Sequence, residues 1–129
     1  MIIGKVHPFP EDPQVLSIAL TVPPPGDEWD LRFATSDAAK GWDELCRHAL
    51  ANARRCLETL RTDPRSRADH ERQHRLRGDL AVHRHNGKDL EQWEFEVTSG
   101  GRVRYVIDDE ARTVWLIYAS PRHPKDTEA

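Results

Sequence analysis

The sequence predicts an α+β domain, a small twisted antiparallel sheet of about four strands with helix packed on one face. Three observations carry this. Residues 93–107 alternate apolar and charged side chains around a glycine pair, as a half-buried hairpin does. Residues 36–61 repeat apolar side chains at helical spacing. Val114-Trp115-Leu116-Ile117-Tyr118 is apolar on both faces, the mark of an interior strand.

The elements follow in order. Residues 1–28 form an N-terminal extension, whose run Val15–Val22 is flanked by prolines and stopped by Pro23-Pro24-Pro25-Gly26. It reads as an extra strand or a packed arm. Trp29–Ala34 alternates and reads as the first strand of the main domain, residues 29–125. Thr35 or Ser36 caps the helix that follows. Ala39, Trp42, Leu45, Cys46, Ala49, Ala53, Cys56, Leu57 and Leu60 form its apolar stripe, Gly41 is its weak point, and Asp63-Pro64 ends it. The stripe reads as one long helix, or as a helical hairpin broken near His48-Ala49.

Residues 63–74 read as a charged connector, and residues 81–92 as a polar stretch with a turn at Asn86-Gly87. In the hairpin, Trp93, Phe95, Val97, Val103, Tyr105 and Ile107 share one face. A three-residue loop, Ser99-Gly100-Gly101, with a left-handed glycine, sets Val97 opposite Val103 and Glu96 opposite Arg104. Asp108–Ala111 is an acidic turn. Residues 126–129 are a tail.

Composition narrows the function classes. The 129 residues carry a net charge of −3, so no global basic signature for nucleic acid exists. The charge is uneven, because residues 61–125 hold thirteen Lys and Arg and five of the seven His. Such a patch binds phosphate without a basic pI. Arginine outnumbers lysine fifteen to four, which fits a GC-rich genome and also bidentate phosphate recognition. No run of 18 apolar residues and no signal-like start is present, so no membrane partner is expected. Cys46 and Cys56, about 15 Å apart in a straight helix, read as reduced core residues of a cytoplasmic protein. His83-Arg84-His85 has a metal-site spacing but only one other convincing donor nearby, so neither metal nor cofactor is expected.

Several words resemble one family. They are Arg75-Leu76-Arg77-Gly78, the Trp93–Thr98 strand, Gly100-Gly101-Arg102-Val103-Arg104-Tyr105-Val106-Ile107-Asp108-Asp109, and the last strand followed by Arg122-His123-Pro124-Lys125. Together they resemble the RelE/ParE toxin superfamily of bacterial toxin–antitoxin systems, over roughly Trp29 to Lys125. The resemblance implies a small twisted antiparallel sheet with helices on one face. It implies a toxin held by a cognate antitoxin in a hetero-oligomer. It implies either a RelE-like endoribonuclease that cuts mRNA on the ribosome, or a ParE-like gyrase inhibitor or inactive module.

Residue by residue, the resemblance puts Arg102 on the scissile phosphate and Arg122 near a second phosphate-binding arginine. Arg77 falls on a basic residue of the turn motif. Two lysines of the best-known members fall at Glu94 and Glu96, an inversion of charge. Cutting RNA without a metal needs a base for the 2′-hydroxyl, cations for the phosphorane and an acid for the leaving oxygen. Glu94, Glu96 or His123 is the candidate base, Arg102 and Arg122 the cations, and His123 the acid. Arg75, Arg77, Arg104 and Lys125 are candidate RNA contacts.

Overall fold

The computed structural model describes residues 28–122. The expected arm, the tail, His123 and Lys125 lie outside the described residues. The order is β1 (Asp30–Phe33), α1 (Ser36–His48), α2 (Leu50–Thr62), β2 (Gln73–Arg75), a 3-10 turn (Gly78–Leu80), β3 (Val82–His85), β4 (Lys88–Glu96), β5 (Arg102–Asp108) and β6 (Thr113–Ser120). Among the described residues this is α+β, with two helices and a mostly antiparallel open sheet of six strands where about four were expected. The strand order is β1-β6-β5-β4-β2, and β3 pairs with β4 off that path. Among the described strands, only the β1–β6 pair is parallel.

Thr35 caps α1, its hydroxyl accepting from the Ala38 amide at 3.0 Å. The helix breaks at Ala49 (φ −150°, ψ 69°), which ends α1 and begins α2. No proline or glycine marks this break. A straight helix over residues 36–61 would run about 39 Å. The eight residues of β6 span about 27 Å. Bending at Ala49 folds the stripe back, so that Trp42 and Leu45 of α1 and Leu57 and Leu60 of α2 share one core. They pack against Leu31, Phe95, Val103, Tyr105, Ile107 and Leu116, which all lie on one face of the sheet.

The bend also removes the premise of the cysteine argument, which placed the two thiols along a straight rod. Both remain free and buried. Burial, then Asp43, pushes the Cys46 thiol up to about 12. Burial, then Cys46 itself, pushes Cys56 up as well, so both stay protonated and inert.

The β4–β5 hairpin keeps the expected faces but not the expected register. Trp93 pairs with Tyr105, Phe95 with Val103, Glu94 with Arg104 and Glu96 with Arg102. The slip is two residues, which preserves side-chain direction. The loop is wider than three residues. The amide of Val97 donates to the Gly101 carbonyl at 2.9 Å, and the Thr98 hydroxyl accepts from the Gly101 amide at 2.7 Å. Arg102 Nη1 then gathers the carbonyls of Thr98, Ser99 and Gly101 at 2.9, 3.2 and 3.1 Å. Neither loop glycine is left-handed. Gly101 is needed for closeness instead, since a Cβ there would lie 2.9 Å from Leu45 Cδ2 and 3.2 Å from Pro121 Cα.

The other strands came from stretches without a greasy face. Residues expected to be a polar stretch form β3, the two-residue turn Asn86 (φ 53°) and Gly87 (φ 78°), and the first half of β4. Two left-handed residues in sequence are what a type I′ hairpin turn requires. The end of the expected connector, Gln73 and His74, pairs together with Arg75 against Trp93–Phe95 as β2. Polar Gln73 is buried there, its Nε2 donating to the Tyr105 hydroxyl at 3.0 Å, while that hydroxyl donates to the Pro64 carbonyl at 2.7 Å.

Arg65 fastens the connector to the sheet. Its Nε lies 2.7 Å from Glu91 Oε1, and its two terminal nitrogens bind Asp109 at 3.0 and 2.7 Å. Arg65 holds the Asp109 carboxyl below its ordinary value. Burial raises Glu91, but hydrogen bonds from Arg65 and Trp93 outweigh it and leave that carboxyl lowered too. Carboxyls depressed by folding stabilise the protein above their unfolded pKa and lose that contribution as pH falls through the folded value. Arg65→Ala is therefore expected to cost about 1 kcal/mol at pH 7, given the partial exposure of the pairs. The deficit should shrink below about pH 4, where ordinary carboxylates protonate. Urea unfolding of both proteins across pH 3–7 checks this, and a deficit constant with pH would contradict it.

Candidate functional site

The helices occupy one face of the sheet, and the alternate residues of each strand point to the other. Strand register arranges this outer face in rows, because paired residues on neighbouring strands share a face. One row runs His74 (β2), Glu94 (β4), Arg104 (β5), Tyr118 (β6). The next runs Glu96 (β4), Arg102 (β5), Ser120 (β6). A bulge at Arg104/Tyr105 shifts the register beyond these rows.

Glu94 is the junction of the cluster. Its Oε2 lies 3.0 Å from Arg104 Nε and its Oε1 lies 3.6 Å from Arg102 Nε. Arg102 also reaches Glu96 at 3.8 Å. The side chains of Glu94, Arg102 and Arg104 are 13%, 13% and 7% exposed. Two guanidiniums and two carboxylates thus sit partly out of water in one patch, where their mutual attraction is stronger than at an open surface.

One side of the outer face is bounded by the β3–β4 hairpin. The His85 ring sits 4.5 Å from the Trp115 ring, and Lys88 reaches Asp108 at 3.2 Å and Glu110 at 2.7 Å. Burial, and then His83, lowers the His85 pKa against an opposing pull from Asp108, so the neutral imidazole is favoured. Asp108, expected in a solvated turn, is buried and accepts from the Ala111 amide at 3.2 Å. Among the described residues no three His, Cys, Asp or Glu side chains are grouped to hold a metal ion.

The expected site residues divide. Arg102, Arg104, Glu94 and Glu96 come together. Arg122 does not join them. It stands exposed past the end of β6, its guanidinium 3.0 and 3.3 Å from the two oxygens of Glu44 on α1. Arg122 holds the Glu44 carboxyl below its ordinary value. This pair borders a groove of about 670 Å³ between α1 and the second half of β6, lined also by Asp37, Lys40 and Tyr118. Arg75, in register with Trp93, takes the helix-side face. Arg77 is exposed at the start of the 3-10 turn.

His74 and Tyr118 are the members that sequence reasoning missed. His74 fell within a segment read as connector, and Tyr118 within a strand read as apolar on both faces. The signal lay in Gln73, whose burial sets the parity that turns His74 outward.

No helix of the described residues is long and apolar enough to cross a membrane. Compared with protein-family models, with curated proteins and with solved structures, the chain gives no match.

Proposed function

We propose that this chain is a cytoplasmic, RelE-like toxin that cuts mRNA on the ribosome and is held in check by a cognate antitoxin. One observation carries the reading. Arg102 and Arg104 sit side by side on a sheet face that neither described helix covers, in rows that also hold Glu94, Glu96, His74 and Tyr118. Paired guanidiniums match the equatorial oxygens of a phosphorane, and preorganised cations are the main source of rate in metal-free phosphoryl transfer. Helices on one side of the sheet also agree with the architecture that the resemblance implies.

Induced expression with transcriptome-wide mapping of 5′ ends tests it. The wild-type protein should arrest translation and produce new 5′ ends within codons. Arg102→Ala should cut that signal about a hundredfold, the usual cost of removing one charge-stabilising donor. Arrest without new ends would overturn the reading.

A second reading rests on a specific observation. Both arginines are already engaged by Glu94, and Arg102 is also drawn onto the loop carbonyls. That arrangement suits a non-enzymatic module of the same family, such as a ParE-like gyrase inhibitor. Replication arrest with a DNA-damage response, and intact mRNA, would select it.

A further inference from the structure

We propose that the cavity between α2 and the sheet edge at β2 is a phosphate-binding subsite built on Arg55 and Arg72. The phosphate is one of an RNA backbone, a source that rests on the nuclease reading above, whereas the site itself stands without it. The cavity measures about 330 Å³, at the small end of ligand clefts. Arg55 lines it from α2, Ser66 and Asp69 from the connector, Arg72 from the residue before β2, and Phe95 from β4. Charge sets this cavity apart, because two guanidiniums and one carboxylate line it. In the larger groove beside α1, Lys40 and Arg122 are matched by Asp37 and Glu44, and Arg122 is closed onto Glu44.

Both guanidiniums keep N–H groups to offer a ligand. An arginine fork carries five of them. Arg72 Nη1 donates to the Glu96 carbonyl at 3.2 Å, and its Nε lies 3.5 Å from Asp69 Oδ2. Those contacts leave Nη2 for a further acceptor. The Arg72–Asp69 pair is loose and its side chains are 42% and 61% exposed, so it is held weakly. Arg55 Nη1 meets a neutral oxygen, Asn52 Oδ1, at 3.5 Å, a contact that leaves its charge uncancelled. The Ser66 hydroxyl accepts from the Ala68 amide at 3.3 Å and still carries a hydrogen of its own. A phosphate has oxygens enough for all three side chains, and a guanidinium meets it through two parallel N–H···O bonds. Phe95 adds apolar surface beside them, where opposite charges attract more strongly than in open water.

The position of the cavity ties it to the outer-face cluster. The Glu96 amide donates to the Arg72 carbonyl at 2.6 Å, so Arg72 continues β2 beside Glu96. Glu96 in turn pairs with Arg102. Arg72 and Arg102 therefore stand two strands apart, about 10 Å, a distance that a short length of sugar-phosphate chain covers. An RNA strand held at Arg102 has a neighbouring phosphate within reach of the cavity.

The arginine Nε–Hε NMR signals of the full-length protein, followed during titration with inorganic phosphate, test the site. Signals that Arg55→Gln and Arg72→Gln remove should be among those that move, and the movement should saturate. Each substitution should weaken phosphate binding about tenfold. Arg72→Lys, which keeps the charge but not the fork, should retain part of the affinity. Asp69→Asn, which keeps an acceptor for the Arg72 amide, should tighten it. No saturable movement, or equal affinity in the double variant Arg55→Gln/Arg72→Gln, would overturn the inference. A single-stranded 2′-O-methyl oligoribonucleotide, which cannot be cut, identifies the source. It should bind more tightly than phosphate alone, with a salt dependence that falls by about one phosphate contact for each arginine removed. An oligonucleotide no tighter than inorganic phosphate would overturn the RNA source and make this a site for free phosphate. Intact mRNA in cells with phosphate binding preserved would overturn the nuclease reading and leave the site standing.

Discussion

Gly41→Ala is expected to destabilise the protein by about 3 kcal/mol or more, at the upper end of what overpacking costs. The direction is opposite to what helix chemistry alone predicts. In an exposed helix interior, alanine in place of glycine gains about 1 kcal/mol. Here α1 crosses β6 so closely that a Cβ on Gly41 would lie 1.6 Å from the Ala119 carbonyl oxygen and 2.6 Å from its carbon. Those atoms are backbone, and Ala119 is paired with Val103 of β5, so neither swings aside freely. Relief requires lifting α1, which carries the buried Trp42, Leu45 and Cys46. Urea unfolding of the two proteins decides the matter. An unchanged or raised midpoint would mean that α1 does not pack on β6 in this way.

Glu94→Ala has the next largest expected effect, a loss of about 3 kcal/mol. Removing the carboxylate leaves Arg104, 7% exposed, and Arg102, 13% exposed, beside each other without their shared counter-ion. Stranding one partner of a partly buried pair costs far more than removing the pair, because the desolvation of the remaining charge is no longer offset. Glu94→Gln keeps an acceptor for Arg104 and should cost less. Replacing Glu94 and Arg104 together by leucine should recover part of the loss. If the double variant were as unstable as the sum of the single ones, the two side chains would not be coupled. Such coupling would also make Glu94 the residue that keeps the two guanidiniums at a fixed spacing.

The main outline was legible because it rests on apolar periodicity. Alternation from Trp93 to Ile107 fixed which side chains face the core, and the doubly apolar Val114–Tyr118 announced an interior strand. What failed to show in the sequence has no apolar signature. β3 pairs through its backbone beside β4 with exposed or half-buried side chains. β2 is three residues long and buries a glutamine. The hairpin register was missed because Thr98 and Arg102 bind backbone groups of the loop, an interaction that periodicity does not encode. Arg102, Arg104, Glu94 and Glu96 were legible as a cluster since a two-residue slip leaves them on one face. Arg122 was not, because Glu44, seventy-eight positions earlier, draws it toward α1.

The parallel pairing of β1 with β6 ties Asp30 to Thr113. Every other strand contact is between segments much nearer in the chain, and loop closure grows costlier with separation. A ribosome making this protein releases β1 long before β6 exists. The first described strand of the sheet must then wait, docked on nothing but the helices, until the chain has emerged as far as Ser120. Hairpins β3–β4, β4–β5 and β5–β6 should form early in refolding, and protection of the β1 amides against hydrogen exchange should appear last.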